Sequence, residues 1–80
     1  MAKKQVLFTF PRELIREPVI HNLSHTFKVI TNIRRADVAE DRGWVMLELE
    51  GDMREIEAAM AWAKARGVRV DSVGGDLVEG

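Results

Sequence analysis

The chain has 80 residues, room for one domain and one core, and a chain this short buries only about 60% of the surface it would expose unfolded. It holds no cysteine, which excludes a disulfide, a thiolate metal site, an iron–sulfur cluster and a cysteine nucleophile, and leaves association with another subunit as the supplement to a small core. Twelve basic residues against thirteen acidic ones, with Lys3-Lys4 and Arg34-Arg35 as the only adjacent basic pairs, argue against a phosphate-backbone partner and so against nucleic acid.

The start, Met-Ala-Lys-Lys-Gln, leads into an apolar run too short for a signal peptide core or a membrane span, so a cytoplasmic protein with no direct membrane insertion is expected. Residues 5–10 alternate Val6, Phe8 and Phe10 with Leu7 and Thr9, the period of a half-buried strand that Pro11 closes. After a charged stretch carrying Leu14 and Ile15, Pro18 stands where a helix can open, because its fixed φ and missing N–H suit a first turn. The predicted helix covers 18–25, with Val19, Ile20, Leu23 and then Phe27 on one stripe and His21, Asn22, Ser24 and His25 on the other.

From Phe27 the period returns to two. Phe27, Val29, Thr31 and Ile33 share one face, and Lys28, Ile30, Asn32 and Arg34 the other, with the strand continuing through Ala36 and Val38. The cluster Glu40-Asp41-Arg42-Gly43 predicts a hairpin turn in which Gly43 supplies a positive φ. The third strand, 44–50, turns Val45, Leu47 and Leu49 inward and Trp44, Met46, Glu48 and Glu50 outward, and ends at Gly51.

Asp52 is placed to cap a second helix, and Glu55 three residues later completes a capping-box pair. Ile56, Ala59, Met60 and Ala63 recur at helical spacing, Lys64 and Arg66 complement the dipole in the last turn, and Gly67 is a left-handed stop. A short fourth strand follows over 68–73, and residues 74–80 are expected to be a flexible tail.

This order gives an α+β, ferredoxin-like βαββαβ sandwich: one domain over 1–80, an antiparallel sheet ordered 4-1-3-2, and both helices on one face. The uncovered face then carries Leu7, Ile30, Trp44 and Met46, more apolar than a solvated sheet surface, and is expected to meet something. Burying one apolar ligand side chain among Ile30, Trp44 and Met46 would contribute roughly 1.5 to 3 kcal/mol. A millimolar Kd needs about 4.1 kcal/mol, so polar anchoring is required as well. Asn32, whose amide both donates and accepts, is the polar candidate on this face.

Several segments, in order, resemble the NIL domain, the ferredoxin-like module at the C-terminus of methionine ABC importer ATPases. They are Arg16-Glu17-Pro18-Val19-Ile20, Lys28-Val29-Ile30-Thr31-Asn32-Ile33, Val45-Met46-Leu47-Glu48-Leu49-Glu50-Gly51, and Ala59-Met60-Ala61-Trp62-Ala63 leading to Gly67-Val68-Arg69-Val70. ACT-type amino-acid sensors share the layout. The namesake Asn-Ile-Leu triplet is here Asn32-Ile33-Arg34, so the third position is charged and makes the site more polar. The resemblance implies a regulatory module that senses methionine or a related small amino acid and pairs with its twin. With no phosphate-binding Gly-x-x-x-x-Gly-Lys-[Ser/Thr] loop in these residues, the output is expected to reach a separate protein.

The expected ligand set is Asn32, Ile30, Arg34, Trp44 and Met46 at a homodimer interface, with no catalytic residue, metal or cofactor. The alternative is an interaction module that docks on an enzyme or transporter without binding a metabolite. His21 and His25 have a two-ligand metal spacing but no third ligand beside them, and Glu48 and Glu50 read as an exposed, solvated strand face and not an acid–base pair. Arg12 and Arg16 sit where acylphosphatase binds phosphate, without that enzyme's glycine-rich loop, and the aromatic ladder of RNA-binding sheets is missing.

Overall fold

The computed structural model describes residues 1–74 and 77–78. Strand β1 (Ala2–Phe10) is followed by a single 3₁₀ turn at Arg12–Leu14, helix α1 (Val19–Thr26), strands β2 (Val29–Val38) and β3 (Gly43–Gly51), helix α2 (Met53–Ala65), strand β4 (Arg69–Ser72) and the two-residue strand β5 (Leu77–Val78). The sheet runs β2-β3-β1-β4, every pairing antiparallel, which is the expected order. Strand β5 adds a short ladder to the start of β1, Ala2 opposite Val78 and Lys3 opposite Leu77, and so lies within the stretch expected to be a tail. The remaining residues of that expectation, 75–76 and 79–80, lie outside the described ones.

Strict alternation builds the core. Val6, Phe8 and Phe10 of β1, and Val45, Leu47 and Leu49 of β3, are buried on the face that also receives Val19 and Leu23 of α1 and Ile56, Ala59 and Ala63 of α2. Each fully buried side chain of this size contributes about 1.5 to 3 kcal/mol by leaving water. Phe8 and Phe10 also meet edge to face, ring centres 6.2 Å apart.

Helix α1 begins one residue later than the sequence predicts: Pro18 is the cap, without a side-chain hydrogen bond, and Val19 is the first helical residue. Helix α2 follows its signals more closely. The Asp52 carboxylate accepts from the Arg54 backbone N–H at 3.2 Å, and Gly67, at φ +102°, closes a Schellman motif in which the Gly67 N–H donates to the Lys64 carbonyl and the Val68 N–H to the Ala63 carbonyl. Glu55 departs from the capping box. Its Oε1 accepts instead from the Lys28 backbone N–H at 2.8 Å, tying the first turn of α2 to the entry of β2.

Two glycines have roles the sequence reading did not assign. The hairpin between β2 and β3 closes with the Ala39 N–H donating to the Arg42 carbonyl at 2.8 Å, and the only glycines with positive φ among the described residues are Gly67 and Gly74. Gly43 is therefore a buried strand residue and not the turn's left-handed position; a Cβ there would lie 3.1 Å from Ile15 Cδ1 and 3.3 Å from Val38 Cγ1. Gly51 is more constrained, because a Cβ would stand 2.7 Å from the Lys28 carbonyl oxygen.

Candidate functional site

The five expected ligand residues lie on β2 and β3, on or next to the sheet face that carries no helix, and the ladder decides which of them meet. Ile30 stands opposite Glu50 and Asn32 opposite Glu48. The ladder then slips by one residue: Ile33 pairs with Leu47, but Arg35 and not Arg34 pairs with Met46, and Asp37 pairs with Trp44. Arg34 is thus the extra residue of a β-bulge. The simple parity that puts Arg34 beside Asn32 breaks at this point, and Arg35 takes the register position facing Met46.

Consequently the candidate set divides in two. Ile30 and Asn32 form one group, at the level of Glu50 and Glu48; Met46 and Trp44 form the other, next to Leu7 and Thr9 of β1, which stand opposite them. Arg34 and Arg35 lie between the groups along β2. Ile30 is 60% exposed, whereas Leu7, Trp44 and Met46 are half-buried by their cross-strand neighbours. The Asn32 side chain is exposed and makes no hydrogen bond to another described residue, so its donor and acceptor are both open. Lys3, Gln5, Glu48 and Glu50 surround the first group with charge and amide, which makes the face mixed rather than uniformly greasy.

A concave apolar site sits on the opposite side of the sheet. A cleft of about 220 Å³ opens between the 3₁₀ turn, the start of α1 and the far end of the hairpin, lined chiefly by Phe10, Ile15, Val19, Ile20, Val38 and Val45, with Glu17 and His21 at its margin. Sequence reading missed it. The available signal was Leu14 and Ile15, apolar residues between regular elements that turn back onto the end of β2. Trp44 lines a separate shallow cleft with Thr9, Asp37 and Arg42. A further polar hollow brings Arg12 and Arg16 beside Glu13 and Glu40.

The metal reading of the histidines gains no third donor. The His21 and His25 rings lie 4.1 Å apart, centre to centre, His25 Nδ1 is 3.0 Å from the His21 carbonyl oxygen, and no group of three metal-ligating side chains occurs among the described residues. Glu48 and Glu50 sit on one strand face as read, each flanked across the ladder by Gln5 and Asn32 or by Lys3 and Ile30. No helix among the described residues is long and apolar enough to cross a membrane.

Comparison with known proteins agrees with this architecture. The chain superposes on the crystal structure of the C-terminal domain of an ABC transporter / ATP-binding protein from Enterococcus faecalis with a TM-score of 0.78 at 21% identity, covering 89% of this chain and 83% of that one. No curated protein matches the sequence. The family model of the NIL domain matches residues 4–72, from the first strand through the last residue of β4, and on that match the chain belongs to the NIL domain family.

Proposed function

We propose that this NIL domain is a small-molecule-binding regulatory module that senses methionine or a related amino acid at a homodimer interface and passes its state to a transporter-associated protein. The observation that carries the reading is the position of the family's Asn-Ile pair. Asn32 presents an unpartnered amide on the helix-free face while Ile33 occupies the other side of the same strand. A zwitterionic amino acid offers the complementary donor and acceptor, and Ile30 with the half-buried Met46 and Trp44 offers apolar surface nearby. One copy leaves this face open, so a second surface is needed to exclude water from the ligand and raise the worth of its polar contacts.

Isothermal titration of the 80-residue chain with methionine and a panel of amino acids tests the proposal. Saturable heat with one ligand, lost in Asn32→Ala and kept in Ile20→Ala, is the expected result. A flat response across the panel removes the sensing claim; loss in Ile20→Ala with retention in Asn32→Ala moves the ligand to the apolar cleft.

A further inference from the structure

We infer that the hairpin end of the helix-free face binds a purine mononucleotide, guanine in preference to adenine, with the base stacked on Trp44, its edge read by Asp37 and its phosphate taken by Arg42 and Arg35. The site lies at the other end of the face from Asn32 and does not rest on the amino-acid reading.

The two ladders build it. Trp44 of β3 stands between Asp37 of β2 and Thr9 of β1. The β2–β3 pairing runs one step further, with the Ala39 N–H donating to the Arg42 carbonyl, and residues two apart along a strand share a face, so Ala39 joins Asp37 and Arg42 joins Trp44. These residues line the shallow cleft beside Trp44, about 300 Å³ in volume, at the lower end of the range that holds small ligands. Arg35 faces Met46, the next residue of β3 on this face, and is therefore diagonal to Trp44, within reach of a long side chain.

Charge and shape select the ligand. Arg35, Asp37 and Arg42 are exposed, and none has an ion-pair partner among the described residues. Arg69, beyond Thr9 on β4, is by contrast closed on Asp71. Two open guanidiniums against one carboxylate favour an anion, and the half-buried indole between them favours a flat aromatic one. Trp44 has no second aromatic beside it on this face: Phe8 and Phe10 are buried beneath the helices, and Phe27 meets Trp62 of α2. One platform stacks one base, which separates this site from the successive platforms that hold a nucleic-acid strand. A carboxylate only accepts, so next to a stacked base it selects an edge with two neighbouring donors. Guanine presents such an edge, N1–H beside its amino group, whereas adenine sets a ring acceptor beside its amino group and turns a lone pair toward Asp37.

Isothermal titration of the 80-residue chain with guanosine monophosphate, guanosine, adenosine monophosphate and inorganic phosphate tests the proposal. Tryptophan fluorescence in a Trp62→Phe background, where Trp44 is the remaining indole, gives a second readout. Guanosine monophosphate is expected to saturate and to quench the fluorescence, with guanosine weaker by about tenfold and adenosine monophosphate weaker by about fivefold to a hundredfold. Trp44→Leu, which keeps an apolar side chain on the sheet, is expected to lose about fivefold to a hundredfold in affinity. Asp37→Asn removes the preference for guanine over adenine, and Arg42→Gln narrows the gap between the nucleotide and guanosine. Circular dichroism confirms that these variants fold, and Asp37→Asn and Arg42→Gln change only exposed side chains. No saturable response to guanosine monophosphate at millimolar concentration, equal affinity for the two nucleotides, inorganic phosphate binding as tightly as the nucleotide, or an Asp37→Asn variant that keeps the preference overturns the proposal. A flat amino-acid panel beside saturable nucleotide binding removes only the sensing function, and the reverse result removes only this site.

Discussion

The two edges of the sheet carry the same short pattern and use it differently. On β4, Arg69-Val70-Asp71 is closed on itself: Arg69 Nε donates to Asp71 Oδ2 at 3.0 Å, two residues along one strand. On β2, Arg35-Ala36-Asp37 has identical spacing and no such contact. The β4 edge is four residues long and lies beside β1, whereas β2 is ten residues long and its second half has exposed side chains throughout. A charged pair that is satisfied locally blunts an edge. One left open leaves both charges available to whatever aligns with that edge.

Substitutions that damage the shared support of both edges test the comparison most severely. Leu47→Ala, in the central part of the sheet beneath the helices, is expected to lose about 2–5 kcal/mol in denaturant unfolding, with any association lost alongside. Gly51→Ala drives a methyl group into the Lys28 carbonyl at the start of β2 and is expected to lose about 1–3 kcal/mol, disturbing the β2 edge before the β4 edge in hydrogen exchange. Gly67→Ala affects the β4 side instead: no backbone blocks the Cβ, but the left-handed conformation itself is unfavourable by about 1–2 kcal/mol, read as a lower melting temperature. At the small end, Arg69→Ala is expected to change unfolding stability by about 0–1 kcal/mol and leave sedimentation unaltered, because the β4 pair is exposed and closed within its own strand.

Sequence patterning made the architecture legible because each element carried its own local instruction. Alternation around Val6, Phe8 and Phe10, and around Val45, Leu47 and Leu49, identified the buried face; Asp52 and Gly67 marked both ends of α2. The candidate site was legible only in part. Asn32 and Ile30 share the face that their spacing implies, but Arg34 does not continue it, because a bulge adds a residue to one strand without any local signature that period-two reading detects. Glu55 reads as half of a capping box, yet the Lys28 N–H, distant in sequence, offered its carboxylate a partner. The apolar cleft stayed hidden for a similar reason: Leu14 and Ile15 belong to no periodic segment, and only the folded chain brings them to Val38 and Val45.

The amino-acid sequence by itself determined the order of strands and helices, the identity of the core and membership of a family, since these follow from hydrophobic period, capping chemistry and motif order along the chain. Tertiary structure alone decided which charges meet across the ladder, where β2 slips its register, and which edge remains open. Those outcomes depend on pairing between residues far apart in the chain, and a one-residue slip in such pairing exchanges the faces of every side chain beyond it.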